Sequence, residues 1–365
     1  MSLQALPYEL IDAIFYLLGP TYFQRNSRRL TVSKWWYKQA FPVHLSQLNL
    51  SGRSIGRLIA LRDNTSLRGA IREYVSDVEI GLNGLDDWTP IHAVVAAESG
   101  PHYRMTPELR SRVRNLMREW TAELSLNMYT LADFLRPIRR IKQLQIHAGW
   151  EFNLYCPQRE ARRSYLHALP LANLLRMENL QAVVLDTSGT SILRRGSGTG
   201  PHFCHKLNGV LLALKSFRCR MCHICPHILT LPKDGTAVDI EELIINMSRS
   251  EESGFPHSYF YTKHCAATVR GRYPRLRDAM EEQAVKFRAT MSKPRIFRIL
   301  AHTYPARGMR MHSFDVLAGR RMTLDLGDDW DADGPEVMAP PRWIKYHDDD
   351  LSDPEDSSLS EDSSE

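Results

Sequence analysis

The chain has 365 residues, of which 43% are hydrophobic and 24% charged, ordinary globular values that allow a sizeable core without covalent staples. Six cysteines, at positions 156, 204, 219, 222, 225 and 265, are too sparse for a disulfide scaffold and fit a reducing compartment. No apolar run approaches the roughly 18 residues needed to cross a bilayer, and the apolar stretch from Leu10 to Leu18 carries Glu9 and Asp12 where a signal peptide has a basic leader. A soluble intracellular protein is expected, in cytoplasm or nucleus and without a membrane partner.

The charge is uneven. From Asp348 to Glu365 there are nine acidic residues and no Lys or Arg, so the formal +5 of the whole chain becomes +14 for the rest. Solvated Arg-rich helix faces account for that excess, and a nucleic-acid partner is not expected, although charge alone leaves a polyanion surface as the rival.

Taken in chain order, the first segment reads as short helices. Pro7 suits a first helical position, because its missing N–H would be unpaired there, and Glu9 complements the positive helix start. Leu10, Ile11, Ile14, Leu17 and Leu18 recur at helical spacing. Gly19-Pro20 predicts a stop. A second, basic helix is expected over roughly Tyr22 to Leu30, and a third carrying Val32, Trp35, Trp36 and Ala40, ending before Pro42.

From about Leu45 the rhythm changes to short apolar runs of strand length. They fall at Val75–Ile80, Leu144–His147, Ala182–Leu185, Ser216–Cys219, Leu243–Ile245 and Phe297–Leu300. Three share a lead-in of an apolar residue, polar residues and then the strand, as in Ile141-Lys142-Gln143-Leu144, Met177-Glu178-Asn179-Leu180 and Ile240-Glu241-Glu242-Leu243. Helices lie between. One starts at Pro107 with Thr106 as N-cap and Leu109, Val113, Leu116, Trp120 and Leu124 on one face. Another follows Pro274, with Leu276, Met280, Ala284, Phe287 and Met291. Strand then helix at uneven intervals predicts an α/β class: an irregular leucine-rich-repeat-like βα array, each unit burying its apolar face against its neighbours. Plain α/β without repeats is the alternative. Residues 194–200 and 250–255 read as loops, and the acidic Ser-rich end as disordered. The domain reading is therefore 1–47 for the helices, 48–346 for the array and 347–365 for the tail.

The first helices also carry a family resemblance. Leu6-Pro7-Tyr8-Glu9-Leu10-Ile11, continuing to Ile14 and Leu17, resembles the opening helix of an F-box, and Leu30-Thr31-Val32-Ser33-Lys34-Trp35-Trp36-Tyr37 is similar to its closing segment, with Pro42-Val43 after it. The likeness spans about 45 residues, while the middle, from Tyr22 to Arg29, is more basic than the family pattern. It implies that Leu6, Pro7, Leu10, Ile14, Val32 and Trp36 face a Skp-type adaptor, which bridges to a cullin. The rest of the chain resembles more loosely the substrate domains of fungal F-box proteins. The resemblance thus implies a non-catalytic subunit that recruits a protein substrate to an SCF-type ubiquitin ligase. The alternatives are a repeat scaffold or a polyanion binder without a ligase. An ordinary helical cap over the first repeat is the rival account of the N-terminus itself.

Other motifs are weaker. Cys219-x-x-Cys222-x-x-Cys225, with His223, His227 and an upstream Cys204-His205, is the sharpest metal candidate. Alternation of Phe217, Cys219 and Met221 along a strand face accounts for it as core packing, so no metal or cofactor is expected. The glycines of 196–200 lack the Lys-Ser/Thr ending of a phosphate loop. His264-Cys265 places a thiol beside an imidazole that adjacent side chains rarely share. The acidic run from Asp325 to Asp333 lacks the ligand spacing of a calcium loop and reads as a solvated turn.

Overall fold

The expected strand runs all form strands, and the sheet they build is mostly parallel. The computed structural model describes residues 6–84, 106–149, 165–193, 202–232, 235–248, 262–265, 273–302, 310–325 and 327–337. Its main sheet has nine strands in the order β1 (Gln47–Ser51), β2 (Asp77–Leu82), β3 (Gln143–Ala148), β5 (Ala182–Thr187), β7 (Ser216–Met221), β9 (Glu242–Asn246), β11 (Ile296–His302), β12 (Arg310–Asp315) and β13 (Arg320–Asp325). Neighbours from β1 to β11 are parallel; β12 and β13 form an antiparallel end. Two small parallel pairs lie beside it, β4 (Leu166–His167) with β6 (Ile192–Leu193), and β8 (His223–Ile224) with β10 (Lys263–His264). The eight α-helices of the described residues are α1 (Tyr8–Gln24), α2 (Lys34–Ser46), α3 (Gly52–Ala60), α4 (Thr65–Tyr74), α5 (Pro107–Leu135), α6 (Ala168–Leu174), α7 (Phe203–Leu211) and α8 (Tyr273–Arg288). None is long and apolar enough to cross a membrane.

The lead-in pattern has a structural cause. The residue before each parallel strand donates its N–H to the carbonyl of its equivalent one strand back: Ser76 to Ser46, Lys142 to Ser76, Gln181 to Lys142, Lys215 to Gln181, Glu241 to Lys215 and Arg295 to Glu241, all at 2.7–2.9 Å. This ladder starts every strand in the same register however long the intervening segment is. The apolar residues beside it, Ile141, Met177, Leu180 and Ile240, are buried.

Along β2, β3, β5 and β7 alternate residues are buried and half-exposed. A parallel sheet covered by helices on both faces reads instead as a continuous apolar run. One face of these strands therefore packs into the long core with α5, α6 and α7, while the half-exposed residues of the other face lie outside that core. The alternation stops at β9 and β11, which are buried on both faces. There a second small core of Ile244, Leu300, Met311 and Leu324 is closed by Trp330 and Ala332.

Local signals set the helix ends. Side chains of Ser33, Ser51, Asn64 and Thr106 each accept the N–H three residues on, at Trp36, Ser54, Leu67 and Leu109, which satisfies one orphan donor of each first turn. The N-terminal helices differ from expectation in detail. Gly19-Pro20 kinks α1 without ending it: Gly19 takes φ 67°, ψ 168°, and the helix resumes at Pro20, where a proline at a first helical position costs no N–H. Of the basic stretch, Tyr22–Gln24 extend α1 and Ser27–Leu30 form a short 3₁₀ turn. Val32 precedes α2 rather than lying in it, and α2 runs through Pro42; the turn lost there falls at Lys38, which is exposed and so open to water. The loops at 194–200 and 250–255 and the acidic tail lie outside the described residues.

Candidate functional site

The N-terminal helices close a small core of their own from Ile11, Phe15, Phe23, Leu30 and Ala40. Phe15 stacks on Phe23 at 5.7 Å, and the Trp36 ring lies 4.6 Å from Phe15. The Trp36 indole N–H donates to the Arg29 carbonyl at 2.5 Å. Of the six residues that the F-box resemblance turns toward an adaptor, Pro7, Leu10 and Val32 are exposed, whereas Leu6, Ile14 and Trp36 are half-buried. Trp36 thus serves the module's own core. Leu10 is 52% exposed, Val32 70% and Leu17 83%, so the apolar face read from Leu10, Ile11, Ile14, Leu17 and Leu18 is divided between the interior and the surface. The helix turns Ile11 and Phe15 inward. Gln24 ties the module to the sheet: its side-chain amide donates to the carbonyls of His44 and Gln47 and accepts from Asn49.

The second candidate surface is the open sheet face. Its register rows place Asn49, Glu79, Gln145, Val184 and Arg218 side by side, and Ser51, Gly81, His147, Asp186 and Arg220 in the next row. The face grows cationic toward β11, and the chain's own carboxylates meet the cations. Arg220 donates to both oxygens of Asp186, at 2.5–3.1 Å, and Arg218 pairs with Glu242 and Asp331. Arg298 pairs with Asp333 and donates to the Ala332 carbonyl. Trp330 lies 5.3 Å from the Arg220 guanidinium, a cation–π distance. The acidic run read as a solvated turn therefore straps across the face. Residues beyond it join β13, where the Thr323 N–H donates to the Pro335 carbonyl and Val337 N–H to that of Arg321. Spacing could not reveal this, because the arginines lie more than a hundred residues upstream for Arg218 and Asp331.

These pairs leave marks on acidity. Burial alone would raise the Asp186 carboxyl, but the hydrogen bonds and charge of Arg220, with the N–H and hydroxyl of Ser188, outweigh it and hold it below the usual carboxylate range. His312 is held below the usual imidazole range by burial and by the cations Arg277 and Arg321, against an opposing pull from Glu281.

The cysteines separate into two groups. Cys219 is buried in the core beside Phe217 and Met221, and the Cys222 thiol donates to the Ser188 carbonyl at 2.9 Å. Both agree with core packing, and the Cys-x-x-Cys-x-x-Cys spacing does not form a chelate. Cys225 departs from it. It stands at the start of a 3₁₀ turn, Pro226–Leu229, in a cluster with His202, Cys204 and Cys265 whose side-chain ligand atoms all lie within 4.8 Å of one another. Among the described residues His264 belongs to no such group, and the Cys265 sulfur lies 3.4 Å from that of Cys204.

Comparison of the chain with protein-family models, with curated proteins and with solved structures finds no match.

Proposed function

We propose that the protein is a non-catalytic substrate adaptor of an SCF-type ubiquitin ligase, with the N-terminal helices docking on a Skp-type adaptor and a leucine-rich-repeat-like array holding a protein substrate. The observation that carries this reading is the apolar surface left outside the N-terminal core. Leu10, Tyr16, Leu17 and Val32 stay between 52% and 83% exposed while Ile11, Phe15, Phe23 and Leu30 fill the interior. Exposed apolar side chains on a small module suit a partner's groove, and Leu10 and Val32 are positions at which the F-box resemblance expects contact. The array's part in catalysis would be proximity, raising the effective concentration of a substrate lysine near the charged enzyme.

Leu10→Ala/Val32→Ala tests the reading without touching the core. Two interface anchors at about 1–3 kcal/mol each amount to a loss of adaptor affinity on the order of a hundredfold. Co-purification of adaptor and cullin with wild type, its loss in the variant and an unchanged thermal melt are the expected results. A wild-type protein that captures no adaptor overturns the proposal.

A further inference from the structure

Three separate stretches of chain converge on one point behind the C-terminal ends of β7 and β9. His202 is the residue before α7, and Cys204 is the second residue of that helix. Cys225 follows β8 and Cys265 follows β10; because Ile224 and His264 are partners in the parallel β8–β10 register, the two cysteines leave the small sheet side by side. The Cys265 sulfur thus meets Cys204, at the start of α7, from across 61 residues of sequence. Cys204 and Cys225 are fully buried, and His202 and Cys265 are partly so.

The distances exclude a disulfide and suit ligands of one shared metal ion. Cys204 Sγ and Cys265 Sγ are 3.4 Å apart, well beyond the roughly 2.05 Å of a disulfide. Cys225 Sγ lies 3.4 Å from His202 Nε2 and 3.7 Å from Nδ1. A tetrahedral zinc, with Zn–S of about 2.3 Å and Zn–N of about 2.0–2.1 Å, needs S···S separations near 3.8 Å and S···N near 3.5 Å. The observed spacings fall within a few tenths of an ångström of those values. Three soft thiolates and one imidazole are also the donor set that selects zinc over magnesium or calcium. His227 Nδ1 stands 3.4 Å from Cys225 Sγ, where its N–H would donate to a ligating thiolate, the usual outer support of such a site.

We propose that His202, Cys204, Cys225 and Cys265 bind one structural Zn²⁺. Four protein ligands close the coordination sphere and leave no position for substrate, so the ion joins the start of α7 to the β8–β10 pair and performs no chemistry. His227 is a supporting residue and not a ligand. The site is independent of the adaptor reading, since none of its residues belongs to the N-terminal helices or the open sheet face.

The test measures zinc in the purified full-length chain by elemental analysis, and records the visible spectrum after exchange into Co²⁺. Expected are near-stoichiometric zinc, the intense bands of tetrahedral thiolate-ligated cobalt, and a melting temperature that falls on chelation and returns with zinc but not magnesium. Cys204→Ser and Cys265→Ser should hold less than about a tenth of the wild-type metal, while Cys222→Ser, a buried thiol outside the cluster, should keep it. His202→Ala should lose the metal, and His227→Ala should only weaken it, by about 10–100-fold as outer-sphere changes do. Because a cysteine variant could simply misfold, the wild-type chelation and cobalt experiments decide alone. A wild-type chain with no zinc, no thiolate–cobalt bands and a melt indifferent to chelator overturns the site. So does a Cys204–Cys265 disulfide found by mass spectrometry in protein purified under reducing conditions. Metal lost from His227→Ala but kept by His202→Ala overturns the assigned ligand set.

Discussion

Asp186 and Arg220 face each other across the β5–β7 register, with both side chains only 15% exposed, and Asp186→Asn isolates their contribution. The substitution keeps the shape and leaves an oxygen for the Ser188 N–H and hydroxyl, which now bond to Asp186. It takes away the charge that Arg220 meets through two nitrogens. Breaking a fully buried pair costs about 3–5 kcal/mol, whereas an exposed one contributes about 0–1 kcal/mol. At this exposure the cost should approach the buried case, about 2–3 kcal/mol, or a roughly 30- to 150-fold shift in the folding equilibrium. Urea unfolding at constant pH reads it. Because the folded carboxyl titrates below its unfolded value, the wild-type advantage is present in full above about pH 5 and is lost as pH falls below about 4. The two proteins should therefore converge in acid. Asp186→Leu/Arg220→Met should cost less than Asp186→Asn, since it strands no charge. A gap under about 0.5 kcal/mol, or one equal at pH 3 and pH 7, would show that solvent screens the pair and refute the argument.

Two further substitutions probe backbone geometry. Gly19→Ala forces a side chain onto φ 67°, ψ 168°, a region nearly confined to glycine; it should cost about 1–3 kcal/mol and appear as faster amide exchange in α1, and unchanged exchange there would mean that the kink relaxes freely. At Gly334 a Cβ would sit 1.9 Å from the Thr323 carbonyl oxygen, so Gly334→Ala should lift the acidic strap from Arg218 and Arg298 and increase salt-sensitive retention on a polyanion column; unchanged retention would mean that those arginines stay satisfied without it.

How much of this was legible in the sequence depended on the range of the forces involved. Strand positions were, because Val78, Leu144, Val183, Phe217, Leu243 and Phe297 are apolar for a local reason: each enters the same core. Thr106 as a cap and the buried stripes of α5 and α8 are equally local. The inner face of α1 was not, because Leu10, Ile11, Phe15 and Leu18 all fit helical spacing and only packing against Trp36 and Leu30 decides which turn inward. The C-terminal hairpin escaped notice altogether, since Arg310–Asp315 and Arg320–Asp325 interleave arginines with apolar residues, and their partners come from α8 and the strap. The cysteine cluster was half visible. Cys204 and His227 stood out beside Cys225, but the Cys-x-x-Cys-x-x-Cys spacing also drew in Cys219 and Cys222, which lie outside the cluster, and the pairing that brings Cys265 in is set by the β8–β10 register.

The distribution of charge on the open face bears on what the array can hold. Toward its first strands it presents Asp77, Glu79, Gln143, Gln145 and His147, all half-exposed, beside the helices that carry the exposed apolar residues. Toward β11 its arginines are engaged by Asp186, Glu242, Asp331 and Asp333. A polyanion arriving at that end would compete with carboxylates of the same chain, whose effective concentration is of millimolar order or higher, and would have to lift Trp330 out of a small core to do so. The +14 excess is therefore not gathered into a ready anion site on this face, which weakens the polyanion rival on physical grounds. At the first strands the situation is the opposite: among the described residues no acidic strap meets these polar, half-exposed side chains, which lie next to the N-terminal helices. On the adaptor reading, a protein substrate held at that end would lie beside the N-terminal helices proposed to dock on the ligase.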